Sequence, residues 1–152
     1  MPSSYNISSG EFRGPDGTLV GTGYAGHPPY VNDPNAIALK DRGPLPPGQY
    51  HMATPVNTAP DPAQWPAPTA HLGPLAIPLV PLPQDGGFEW LHGRNGFYIH
   101  ADLISHPGFG SEGCIVPTKL PNGQLAGHAI RIALAAIREH DDVLSVTLTG
   151  RP

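Results

Sequence analysis

The chain has 152 residues, 8 Lys and Arg against 12 Asp and Glu, a net charge of −4, and 19 Gly, 21 Pro and one Cys. That length suits a single domain over 1–152, while a charged fraction of 13% without a basic stripe speaks against nucleic acid as a partner. No run approaches the roughly 18 apolar residues of a membrane span, so membrane insertion is not expected. Gly and Pro together approach a disordered composition, yet 34 Leu, Ile, Val and Phe residues and the small net charge favour a folded, loop-rich, mostly β domain.

The first residues, Met1-Pro2-Ser3-Ser4-Tyr5-Asn6-Ile7, lack the basic and apolar regions of a signal peptide, which predicts synthesis as a soluble cytoplasmic protein. Apolar pieces at Tyr5 and Ile7, at Phe12 and at Leu19-Val20 are separated by turn formers, among them Gly14-Pro15-Asp16-Gly17. Pro presets φ and Gly accepts φ > 0, so this pattern predicts a β-meander over the first 24 residues. Gly43-Pro44-Leu45-Pro46-Pro47-Gly48 cannot be helical, because prolines remove donors and extend their predecessors. It should deliver the chain into a short strand at Gln49-Tyr50-His51-Met52.

Residues 55–83 carry nine prolines and are expected to form a long ordered loop whose second half, with Leu75, Ile77, Leu79 and Val80, packs on the domain. Phe88-Glu89-Trp90-Leu91 and Phe97-Tyr98-Ile99-His100 flank Asn95-Gly96, which predicts a hairpin with a longer loop or a bulge. Alternation puts Phe97 and Ile99 on one face and Tyr98 and His100 on the other. Ile130, Ala133, Leu134 and Ile137 form one helical stripe, the only convincing helix, and Leu144, Val146 and Leu148 mark a final strand.

The sole cysteine, Cys114, forbids an internal disulfide and leaves buried filler, metal ligand and nucleophile as its readings. It follows a glycine-rich approach, Gly108, Gly110 and Gly113. A glycine directly before a cysteine lets the chain turn so that sulfur and backbone N–H groups both meet a substrate carbonyl. A thiolate nucleophile needs a nearby histidine, and His100, at the end of a strand, is better placed than His106 in a Pro-Gly loop. The scattered His27, His51, His71, His128 and His140 read as surface or capping groups. His92, His100, His106 and Cys114 could be considered for zinc, but their spacing matches no zinc pattern; neither a metal nor any other cofactor is expected.

His100, the glycine-rich loop and Ser111-x-Gly113-Cys114-Ile115 resemble the signature of L,D-transpeptidases, the cysteine enzymes that cut and exchange peptides in bacterial peptidoglycan. Thr22-Gly23-Tyr24-Ala25-Gly26, the 43–50 segment and Arg94-Asn95-Gly96-Phe97-Tyr98-Ile99-His100-Ala101-Asp102 extend the resemblance to most of the chain outside 55–83. It is strongest to the type VI secretion L,D-transpeptidase effectors. The resemblance implies a β-sandwich with one C-terminal helix and the Pro-rich loop. It implies Cys114 as nucleophile, His100 as base, the Ala101 carbonyl as the group orienting that base, and Ser111 and Gly113 in the nucleophile loop. The Gly113 and Cys114 amides would be oxyanion donors. Arg94, Asp102, His106 and Glu112 are candidate substrate contacts.

Two positions depart from the common family pattern: Glu112 stands where a histidine is usual, and Ala101 where a glycine is. A carboxylate beside a thiol raises the thiol pKa, so Glu112 bears on activity or substrate choice. The implied reaction is L,D-carboxypeptidase or L,D-transpeptidase chemistry on stem peptides, with a free D-amino acid as an acceptor in exchange. The implied partners are a secretion apparatus and a cognate immunity protein, and the implied site of action is the periplasm of a target bacterium. A non-catalytic peptidoglycan-binding or structural domain of the same fold is the alternative.

Overall fold

A computed structural model describes residues 2–40, 42–55, 76–84, 87–100, 111 and 113–148. The first three strands, β1 (Ser3–Asn6), β2 (Glu11–Arg13) and β3 (Leu19–Ala25), form the expected meander of antiparallel neighbours. Its second turn closes as the Pro-Asp-Gly cluster predicts: Gly17 takes φ +85°, and the Asp16 carboxylate accepts from the Thr18 N–H at 3.0 Å. Strands β4 (Gly48–Met52), β5 (Ile77–Pro81), β6 (Phe97–Ile99), β7 (Ile115–Lys119) and β8 (Val143–Thr147) follow, with one α-helix, α1 (Gly127–Arg138), before the last.

Among the described residues the fold is therefore mainly β with a single C-terminal helix, as expected. The strands close into one barrel in the order β1-β2-β3-β7-β6-β5-β4-β8, so the two layers of the sandwich reading are joined in a continuous ladder. Two contacts in it are parallel, β1 with β8 and β6 with β7. Inside lie Tyr5, Phe12, Tyr50, Met52, Ile77, Phe97, Ile99, Ile115, Leu144 and Val146, each at most 4% exposed. Tyr50 meets Phe97 edge-on with ring centroids 6.0 Å apart, a favoured aromatic geometry. Burial pushes the phenols of Tyr5 and Tyr50 well above the ordinary tyrosine range.

One strand pairing differs from expectation. Glu89–Leu91 forms a 3-10 turn rather than a strand, and His92 leaves it in a left-handed conformation, φ 55°. The partner of β6 is instead β5, paired through Ile77↔Ile99, Pro78↔Tyr98 and Leu79↔Phe97. The end of the Pro-rich segment thus packs on the domain, as its apolar residues suggested; residues 56–75 lie outside the described ones. Pro78 is tolerated because antiparallel pairs alternate between bonded and unbonded rungs, and opposite Tyr98 no N–H is required of it.

β3 and β7 approach so closely that a Cβ on Gly23 would stand 2.2 Å from the Val116 carbonyl oxygen. Glycine is needed there. Helix α1 lies against β7 and β3 through the predicted stripe, with Ile130 and Leu134 fully buried and Ile137 partly so. Ile132, off the stripe, is 51% exposed. Leu134→Ala should destabilise the fold by about 2–5 kcal/mol in urea unfolding, while Ile132→Ala should stay within about 0.5 kcal/mol of the parent.

Candidate active site

β6 and β7 touch through a single parallel register pair, Ile99↔Ile115, with the His100 N–H donating to the Ile115 carbonyl at 3.0 Å. Both isoleucines are fully buried in the core. Side chains alternate along a strand, so Cys114, one residue before Ile115, and His100, one after Ile99, share the opposite face. They sit diagonally across the contact with Cα atoms roughly 8 Å apart, given the strand spacing and the rise per residue. Cys114 is half-buried and His100 is 2% exposed. The sulfur accepts from the Tyr98 backbone N–H at 3.3 Å and faces the Gly96 carbonyl at 3.7 Å.

The turn before Cys114 is organised by the hydroxyl of Ser111, which is completely buried. It accepts from the Gly26 N–H at 2.8 Å and the Gly113 N–H at 3.0 Å, and donates to the Cys114 carbonyl at 2.6 Å. The loop that starts at Gly26 is closed by Asn32, whose carboxamide oxygen accepts from the Ala25 N–H at 2.9 Å and from the Tyr5 hydroxyl at 3.1 Å. Gly113 has φ +135°, and a Cβ on it would stand 2.5 Å from Arg94 Nη2. This is the glycine turn expected next to the cysteine.

The same hydrogen bonds correct the expected oxyanion hole. The Gly113 N–H is held by Ser111 and is not directed at a substrate. The Gly113 carbonyl accepts from the Leu45 N–H at 3.0 Å. In a trans peptide the next N–H points away from that carbonyl, so the Cys114 N–H faces away from Leu45.

Arg94 also differs from its expected place as a substrate contact. It is 4% exposed, with Nη1 donating to the carbonyls of Ile37 and Pro44 and Nη2 to that of Gly43 at 2.8 Å. Its guanidinium carbon stands 5.3 Å from the centre of the Phe97 ring. Residues 43–45 thus form a strap whose carbonyls are tied to Arg94 and whose Leu45 N–H is tied to the Gly113 carbonyl. The Tyr50 hydroxyl adds a bond to the Pro46 carbonyl at 2.7 Å. The signal in sequence for this role was the Pro-rich strap itself, whose carbonyls outnumber its N–H donors and invite a multivalent donor. The Tyr98 amide had no signal, since every residue but proline carries one. Ala101, Asp102, His106 and Glu112 lie outside the described residues.

The sequence profile of the Tlde1 domain family matches residues 20–132, which include Cys114, His100 and the strap. No curated protein matches the chain. Among solved structures, an L,D-transpeptidase from Mycobacterium tuberculosis H37Rv is similar at 15% identity with a TM-score of 0.46, over 95% of this chain and 56% of that one. The chain therefore spans little more than half the length of that protein.

Ser111→Ala would leave two buried N–H groups without their acceptor. The expected cost is about 1–3 kcal/mol for each stranded group, read as a lower urea midpoint. Lys40→Ala, at an exposed position, should leave the midpoint within about 0.5 kcal/mol of the parent.

Proposed function

The chain belongs to the Tlde1 domain family of L,D-transpeptidase-like type VI secretion effectors, and from that premise we propose that it is a cysteine enzyme of peptidoglycan stem peptides, acting as an L,D-carboxypeptidase, an L,D-transpeptidase or both. The observation that carries this reading is the one-rung contact between β6 and β7, which puts Cys114 and His100 on one face with the sulfur half-exposed. A nucleophile and a base directly flanking two paired strands suit a reaction that needs fixed geometry.

In the proposed reaction the Cys114 thiolate attacks the carbonyl carbon between an L-centre and a terminal D-residue. The carbon–sulfur bond forms and the carbonyl oxygen takes up the negative charge, which this reading assigns to the Cys114 N–H as donor. Collapse of that adduct breaks the carbon–nitrogen bond, and the imidazolium of His100 gives its proton to the departing amine. The thioester is then attacked by water or by the amine of a D-amino acid, with His100 taking the proton and Cys114 leaving as thiolate. Water completes carboxypeptidase action, and an amine completes exchange. Neither half needs a cofactor.

Peptidoglycan lies in the periplasm, so the proposed site of action is the periplasm of a target bacterium, reached through the type VI apparatus. An immunity protein covering the Cys114 face is the partner this reading calls for in the producing cell.

Purified muropeptides incubated with the protein, with and without a free D-amino acid, should lose the terminal D-residue or exchange it, as read by mass spectrometry. Cys114→Ala should reduce turnover to background, and His100→Ala should lower it by about 10²–10⁴-fold. Loss only in a His106 variant would reassign the base. Intact muropeptides in every reaction would favour a non-catalytic peptidoglycan-binding domain.

A further inference from the structure

The ladder between β6 and β7 stops one rung early. With Ile99 opposite Ile115 and the His100 N–H on the Ile115 carbonyl, a continuing parallel ladder would place the Tyr98 N–H on the Gly113 carbonyl. That carbonyl is instead taken by the Leu45 N–H at 3.0 Å, and the Tyr98 N–H points at Cys114 Sγ at 3.3 Å. On its other edge β6 meets β5 at Pro78, which faces Tyr98 in the register. The donor is therefore turned toward β7 and the sulfur.

We propose that the Tyr98 backbone N–H is a dedicated positioning donor that holds Cys114 as its thiolate, and that Arg94 makes this donor available by pinning the strap that draws the Gly113 carbonyl out of the ladder. The proposal rests on the reading of Cys114 as the nucleophile. Two backbone groups compete for the sulfur. The thiol form donates to the Gly96 carbonyl at 3.7 Å, and the thiolate accepts from Tyr98. A hydrogen bond to an ionised acceptor is about twice as strong as a neutral one, so the balance favours the charged form. It also fixes the sulfur against β6 at Tyr98. Among the described residues, the ionisable groups on the surrounding elements are His100, the Tyr98 phenol and Arg94; Glu112 stands two residues before Cys114 in the sequence.

Replacing Tyr98 by its α-hydroxy acid turns the Phe97–Tyr98 amide into an ester, which removes this N–H and keeps every side chain. Cys114 is the only cysteine, so the pH profile of iodoacetamide alkylation reads its ionisation directly. The expected result is a midpoint raised by about one pH unit, or about tenfold less thiolate below both midpoints. Arg94→Lys, which replaces a fork by a point donor, should shift the midpoint in the same direction by less, with an unchanged far-ultraviolet circular dichroism spectrum. An unchanged midpoint in the folded ester protein overturns the proposal for Tyr98, and an unchanged midpoint in folded Arg94→Lys overturns the role of Arg94.

The parent protein supplies a check that does not depend on the ester folding. The Tyr98 amide resonance in a ¹⁵N–¹H spectrum should titrate with the alkylation midpoint and lose that transition in Cys114→Ala. A Tyr98 amide indifferent to sulfur ionisation would sink the idea. Neither measurement uses a peptide substrate, so inactivity on muropeptides would count against the proposed reaction and leave this test standing.

Discussion

A guanidinium with 4% exposure is costly unless its donors are satisfied, and the way Arg94 satisfies them organises the site around it. Its bonds to the carbonyls of Gly43 and Pro44 hold the strap, and its bond to the Ile37 carbonyl ties that strap to the turn before it. The strap in turn spends its Leu45 N–H on Gly113. Arg94 lies so near Gly113 that no side chain fits there. Its charge also reaches the core, where it opposes the upward push of burial on the Tyr50 phenol. Lysine, with one compact ammonium, cannot reproduce this fork.

The consequence is a peptide group locked from both sides. Ser111 holds the N–H of Gly113 and the carbonyl of Cys114, while Leu45 holds the carbonyl of Gly113. With both flanking groups engaged, the peptide between Gly113 and Cys114 has one orientation, and its N–H has one direction. A site that stabilises developing charge works through such prepaid orientation, since no reorganisation is then needed during reaction. The barrel supplies the rigidity. β7 is tied to β3 by a close backbone approach at Gly23, and α1 packs over both.

Much of the secondary structure was legible because its causes are local. The meander turn follows from Pro15, Asp16 and Gly17, the helix from the stripe Ile130, Leu134 and Ile137, and the last strand from the alternation of Leu144 and Val146. The hairpin expected around Asn95-Gly96 was not formed, because the partner of β6 is Ile77–Pro81, at the far end of a proline-rich stretch. Local alternation says that a segment is a strand and which face is apolar; it does not say which distant strand completes the ladder.

The candidate site divides along the same line. From residue types and their order alone, the sequence determined that Cys114 is the chain's single thiol, that a glycine precedes it and permits a turn, and that His100 shares the face opposite Phe97 and Ile99. Only the tertiary structure decided that Arg94 is buried rather than offered to a substrate. It also decided that the Gly26 amide reaches the Ser111 hydroxyl, and that the Tyr98 amide meets the sulfur. These are choices among backbone donors and acceptors that every residue carries alike. Which donor meets which acceptor depends on chain segments 16 to 85 residues apart being folded together, and no local pattern in the sequence encodes that pairing.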